Sequence, residues 1–246
     1  MAGTGHLQTE EILALVRSHN ERETRLRRDY YAYLQTQEPQ EESFEEHLQR
    51  YGFLVRLAEP AKPEEARELE QLAGVSLPLE LRELYDSLGG LQVHNPVAAG
   101  IQLFPVPELL RRLRLPSGWE RFRSLGLIHM MLASWSNDRP ELEPGGLLRA
   151  DEIERLNAAY KCVGWIPTSN GEGFRYIYFD GSGKLGTLRV HQDAFAELYS
   201  EDLLPMQTRS PADDNLSSIV ITGLREAARV LDLFEGDEDD DEEEDE

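Results

Sequence analysis

The spacing of apolar residues changes at residue 91, and that change divides the chain into two kinds of structure. Before it, Ile12, Val16, His19, Leu26, Tyr30 and Tyr33 recur at steps of three or four, or at sums of those steps. This is helical spacing and predicts a helix over about 9–36. Glu10 and Glu11 fall in its first turn, where the helix dipole favours anions. Glu38-Pro39-Gln40 breaks it, and Ser43-Phe44-Glu45-Glu46 reads as a capping box that starts a second helix, running to about Tyr51 and stopping at Gly52. Pro60-Ala61-Lys62-Pro63 reads as a linker. A helix over 64–73 should follow, with Ala66, Leu69 and Leu72 inward and Gly74 as its C-cap. Pro78 opens the next, whose stripe is Leu81, Leu84, Tyr85 and Leu88, and Gly89-Gly90 end it.

After residue 91 the apolar runs are short. Ile101–Phe104 and Leu127–Leu132 have strand length, with a buried helix as the alternative for the second. Pro107–Leu113 looks helical, and residues 136–146, with two Pro and two Gly, read as loop. Leu147-Leu148 reads as a short strand, and Asp151 as the cap of a helix to about Tyr160. Cys162–Ile166, Phe174–Phe179 and Leu185–Val190 read as strands, the last two joined into an antiparallel hairpin by the turn-rich Asp180–Lys184. A final helix over 217–234 should turn Ile221, Leu224, Ala228, Leu231 and Phe234 inward. The expected class is α+β, a mainly antiparallel sheet flanked by helices. Three regions are expected: a helical N-terminal extension (1–60), the α+β domain (61–235) and a disordered acidic tail (236–246).

Residues 237–246 are all Asp or Glu. Ten like charges in a row repel one another and bury nothing. The formal net charge is −22, and without the tail 37 acidic side chains still face 25 basic ones. This balance argues against nucleic acid or an anionic membrane as partner and for a basic protein. The tail reads either as a solubilising device or as a mimic of a phosphate backbone that enters a basic groove. Cys162 is the only cysteine, so no intrachain disulfide and no multi-cysteine metal site is expected, and the simplest compartment is the cytoplasm. Residues 1–11 lack a basic segment followed by an apolar run, and no stretch approaches the length needed to span a bilayer, so neither a secretory signal nor a membrane partner is expected.

The segment Glu70-Gln71-Leu72-Ala73-Gly74-Val75-Ser76-Leu77-Pro78, followed by Leu81, Leu84 and Gly89-Gly90, resembles the opening signature of the SUKH superfamily, the Smi and Knr type domain. Gly164-Trp165-Ile166-Pro167 is similar to its Trp-Ile-Pro strand, Gly171 and Gly173 to its glycine turn, Asp180 to the aspartate ending the next strand, and His191 to a histidine after the third. The resemblance covers about residues 64–234. Leu88 stands where the pattern has Asn, and Phe174 and Arg175 where it has Asp. The resemblance implies a SUKH-like α+β fold and binding rather than chemistry. Bacterial members are commonly immunity proteins encoded beside secreted polymorphic toxins, and fungal members are regulators of cell-wall synthesis and signalling.

The six histidines are scattered, with no pair at i, i+4, and no zinc-protease, nucleophile-elbow or phosphate-loop motif occurs. No metal, cofactor or catalytic residue is therefore expected. Cys162 and Trp165 read as core residues, and Glu70 as a cap on a backbone group inside the domain. The candidate toxin-binding residues are Trp119 and Trp135, in a Pro/Gly-rich stretch; Asn170, Glu172, Asp180 and His191, at polar turns; and the tail acids Asp237, Glu238, Asp239, Asp240, Asp241 and Glu242. The expected function is a cytoplasmic, non-enzymatic immunity protein that occludes the active site of a basic cognate toxin. The second reading is a regulatory adaptor recruiting partners through helices 9–51, and the third an enzyme with a site around Asp180 and His191.

Overall fold

The strands read in the second half of the chain form one half of a single antiparallel sheet, with the last of them at its edge. In the computed structural model, which describes residues 6–38, 41–93, 101–116, 123–134, 148–167, 173–191 and 198–235, β4 (Tyr160–Pro167), β5 (Gly173–Asp180) and β6 (Leu185–His191) pair in sequence order. Three short strands, β1 (Val55–Leu57), β2 (Leu91–Val93) and β3 (Gln102–Leu103), extend the sheet on the β4 side to the order β1-β2-β3-β4-β5-β6. β1 and β2 carry no sequence signal, because three residues are too few to show alternation.

Cross-strand pairs share a face. Trp165 lies opposite Tyr176, which lies opposite Leu188, and the Tyr176 hydroxyl reaches the Met131 carbonyl at 3.5 Å. Ile166 lies opposite Arg175 on the other face, where Arg175 meets Glu226 at 3.2 Å. Helices therefore cover both faces of β4 and β5. That explains why these strands read as nearly continuous apolar runs rather than as alternating ones. Trp165 joins this core: its ring stands edge-on to Phe104 at 4.7 Å and near Phe174 at 6.0 Å.

The helices are α1 (Thr9–Gln37), α2 (Phe44–Tyr51), α3 (Pro63–Ala73), α4 (Leu79–Ser87), α5 (Val106–Leu113), α6 (Leu127–Ser134) and α7 (Ala150–Ala159). After β6, a five-residue π-helix, Tyr199–Leu203, runs into the short α8 (Leu204–Met206) before α9 (Leu216–Glu235). The 127–132 run is thus helix. It is buried nearly all round, so neither period shows in the sequence. Leu148 is a bend rather than strand, although it is buried. Asp151 lies in the first turn of α7 and does not cap it. The box is closed by Glu152, which accepts the backbone N–H of Arg149 at 2.9 Å. Leu72, read as inward, is 48% exposed.

The described residues before residue 58 are tied closely to the rest. Ile12 and Val16 are in the core, and α1 runs alongside α9, with Arg22 bonded to the Ala228 carbonyl and to Asp232. Three polar side chains of α1 hold the approach to β1. His19 Nε2 meets the Phe53 carbonyl at 2.9 Å, Glu23 accepts the Phe53 N–H at 2.9 Å, and Asn20 bonds both the N–H and the carbonyl of Val55. At the other end of α1, Glu83 of α4 accepts the N–H of Leu7. Glu80 accepts the N–H of Leu216 and so caps the start of α9 from a distance.

Candidate functional site

Asp180 and His191 do not form one site. His191 lies opposite Gly173, at the start of β5, and Asp180 ends that strand. Seven residues of strand rise separate them by about 23 Å. The side chain of Asp180 is spent on the β5–β6 turn. One oxygen accepts the N–H of Ser182 at 2.9 Å, its hydroxyl at 2.6 Å and the N–H of Lys184 at 3.1 Å, and the other accepts the Ser210 hydroxyl at 2.5 Å. Burial pushes this carboxyl up, but the donated hydrogen bonds outweigh burial and hold it below the usual carboxylate range. Trp119, Trp135, Asn170, Glu172 and the tail acids Asp237–Glu242 lie outside the described residues, as does the side chain of His191.

Cys162 is fully buried, its Sγ donates to the Gly164 carbonyl at 3.3 Å, and burial pushes the thiol up to about 12. A thiol so placed is a packing residue, not a nucleophile. Glu70 is also internal in role: it accepts the N–H of Leu77 at 2.8 Å and pairs with Arg82, fixing the α3–α4 hairpin. Among the described residues no group of three or more His, Cys, Asp or Glu is placed to hold a metal ion. No described helix is long and apolar enough to cross a membrane.

The feature that stands out is the outer end of α1 with α2. A helix of 29 residues is about 43 Å long. Its buried positions stop at Glu23, because α9 and β1 reach no further along it. Tyr30 and Tyr33, which continue the apolar spacing of α1, are therefore 50% and 58% exposed, and Tyr51 of α2 is 43% exposed. His47 is buried beside two of them and Tyr31, its ring 6.3 Å from that of Tyr30, 5.3 Å from Tyr31 and 4.8 Å from Tyr51. Its Nδ1 lies 3.0 Å from Glu42, which also pairs with Arg50 at 2.9 Å, and the Tyr31 hydroxyl donates to the Glu42 carbonyl. Arg28 lies over the Phe44 ring at 5.2 Å.

The capping box read in the sequence sets the direction of α2. Ser43 Oγ accepts the N–H of Glu46 at 3.3 Å, and Glu46 accepts the N–H of Ser43 at 2.8 Å. These bonds from Ser43 hold the Glu46 carboxyl below its ordinary range, so it stays ionised. Asp29, Glu38, Glu41, Glu45 and Glu46 are all exposed around the tyrosines. The result is an aromatic surface that carries these carboxylates together with the exposed Arg25, Arg28 and Arg50, the last over the Tyr51 ring at 5.8 Å. Tyrosine supplies contact area at low entropic cost, and it is enriched among residues that dominate binding energy.

No family model, curated protein or solved structure matches this chain. The functional reading therefore rests on the residues themselves. None of the three exposed tyrosines stood out in the sequence, where Tyr30 and Tyr33 extend the stripe that begins at Ile12. The available signal was tyrosine at positions where a core helix would carry Leu or Ile, next to five acids in residues 38–46.

Proposed function

We propose that this protein is a non-catalytic binding protein of the immunity type, which recognises a basic cognate toxin in the cytoplasm and blocks it by covering its active site. The observation that carries this reading is the set of exposed tyrosines Tyr30, Tyr33 and Tyr51 on α1 and α2, in a stretch with exposed carboxylates. The tyrosines would supply the buried centre of an interface. The acids would pair with the basic residues with which a nuclease or a similar enzyme holds its substrate. Complementary charge mainly speeds encounter and selects the partner. The reading is supported by the overall acidity of the chain and by the residues that resemble the SUKH pattern, which sit at joints of this fold: Glu70 at the α3–α4 turn, Trp165 in the sheet core and Asp180 at the hairpin.

The test is reconstitution with the toxin encoded beside the gene. Equimolar protein should abolish the toxin's activity, and Tyr30→Ala/Tyr33→Ala should restore it. An adjacent gene product that neither binds nor is inhibited refutes the reading. The placement of the tyrosines on α1 and α2, away from the sheet, also favours the adaptor reading, in which the same surface recruits several partners without inhibiting any. A partner that is bound but not inhibited would select it.

A further inference from the structure

The chain leaves the fold at the end of α9, beside a stretch of α1 that is rich in arginine. Between residues 17 and 28, α1 carries Arg17, Arg22, Arg25, Arg27 and Arg28 against only Glu21 and Glu23, in a chain whose net charge is −22. Glu23 is buried and already paired with Arg27 at 2.8 Å. Two contacts fix how the helices lie. Arg225 of α9 meets Glu11 at 3.1 Å, and Arg22 bonds the Ala228 carbonyl at 3.1 Å and Asp232 at 2.6 Å. Low numbers meet low and high meet high, so α1 and α9 run in the same direction. α9 ends three residues after Asp232, whereas α1 continues to Gln37.

The side of α1 that α9 covers at Arg22 is therefore left bare beyond it. Steps of three, seven and eleven residues put Arg25, Asp29 and Tyr33 on that side. Arg25 and Arg28 are exposed, and Tyr33 is 58% exposed. On α9, Arg229 lies four residues after Arg225 and three before Asp232, so it shares their side; it is exposed and makes no ion pair among the described residues. Arg22, Arg25, Arg28 and Arg229 thus stand with Asp29 and Asp232, four cations to two anions, where the chain leaves the fold. The next eleven residues, 236–246, include ten acids and span up to about 36 Å. The bare length of α1 past Arg22 is about 22 Å.

We infer that the acidic tail, residues 237–246, docks on its own chain, along the outer half of α1 and against Arg22, Arg25, Arg28 and Arg229. Single exposed ion pairs contribute little. A tethered segment meets its site at an effective concentration of about millimolar, so a millimolar affinity summed over many weak pairs is enough to hold it there about half the time. The arginines and the tail are then each other's counter-charge. Tyr33 lies on the same side of α1, so a partner that uses the tyrosine surface has to displace the tail; this last consequence rests on the binding role proposed above.

The experiment places a nitroxide on Asp241→Cys of the full chain and reads paramagnetic broadening of backbone amide signals. Cys162 is fully buried and stays unlabelled. Amides of residues 22–33 should broaden at about 0.01 M salt and recover at about 1 M, where charges are screened within about 3 Å. Arg25→Gln/Arg229→Gln should reduce the broadening at least twofold, with circular dichroism to check its fold. A labelled chain whose other tail acids are changed to their amides keeps the tether and leaves the folded part untouched, and it should lose the effect of salt. The inference is overturned if the neutral tail broadens 22–33 as much as the acidic one, if salt changes nothing, if the folded arginine variant broadens like the parent, or if the broadening centres on another basic stretch such as 111–114. No partner is present, so failure here leaves the proposed function to its own test.

Discussion

The side-chain amide of Asn20 bonds Val55 as a neighbouring strand would: its Oδ1 accepts the N–H and its Nδ2 donates to the carbonyl, both at 2.8 Å. A residue of α1 thus completes the outer edge of the sheet and fixes the angle at which α1 leaves it. Asn20→Ala leaves two backbone groups of the buried Val55 unpaired and should cost about 2 kcal/mol of stability. Urea denaturation measures the loss. Hydrogen exchange should show faster exchange at Val55 than at residues of β4 and β5.

Asp180 gives the acid limb of the stability curve. Its folded-state carboxyl titrates below its ordinary value of 3.8. As pH falls, the unfolded chain takes up this proton first, so the stabilisation is fully present above about pH 4 and is lost as pH drops through 3.8 toward the folded value. Asp180→Asn should flatten the slope of unfolding free energy against pH below pH 4 and lower stability at neutral pH by about 1–3 kcal/mol, since the donors of Ser182, Lys184 and Ser210 lose a charged acceptor.

Cys162 should be inert to thiol reagents in the folded protein at pH 8. The thiol is buried and protonated there, so its labelling rate should track global unfolding in urea. Labelling at the rate of a free thiol in native buffer would contradict this packing.

Two glycines separate steric from conformational cost. A Cβ on Gly164 would stand 2.0 Å from the Gln102 carbonyl oxygen, at the β3–β4 contact. A Cβ on Gly74 would meet nothing, and only its left-handed φ of 68° is unfavourable for alanine. Gly164→Ala should cost about 3 kcal/mol and Gly74→Ala about 1 kcal/mol, by thermal or urea denaturation.

The sequence made most long elements legible, each for an identifiable reason. Ser43 and Glu46 announced α2, Gly74 ended α3, and the Asp180–Lys184 turn fixed the β5–β6 hairpin. Periodicity failed where its physical basis was missing. β1 and β2 are too short to alternate, and α6 is buried on nearly every side and so shows no polar face. The candidate surface was hidden for a related reason. The apolar spacing of α1 continues through Tyr30 and Tyr33, and only the lengths of α9 and β1 decide where burial stops.

The most direct measurement is affinity capture from native cell lysate with paired baits, the full chain and Tyr30→Ala/Tyr33→Ala/Tyr51→Ala, followed by an activity assay of whatever is retained. These side chains are exposed, so the triple variant should stay within about 1 kcal/mol of the parent in stability. The expected result is one basic protein held in stoichiometric amount by the parent bait, lost from the variant, and inhibited by the parent protein. Equal retention by both baits, or a captured protein whose activity is unchanged, would contradict the proposed function.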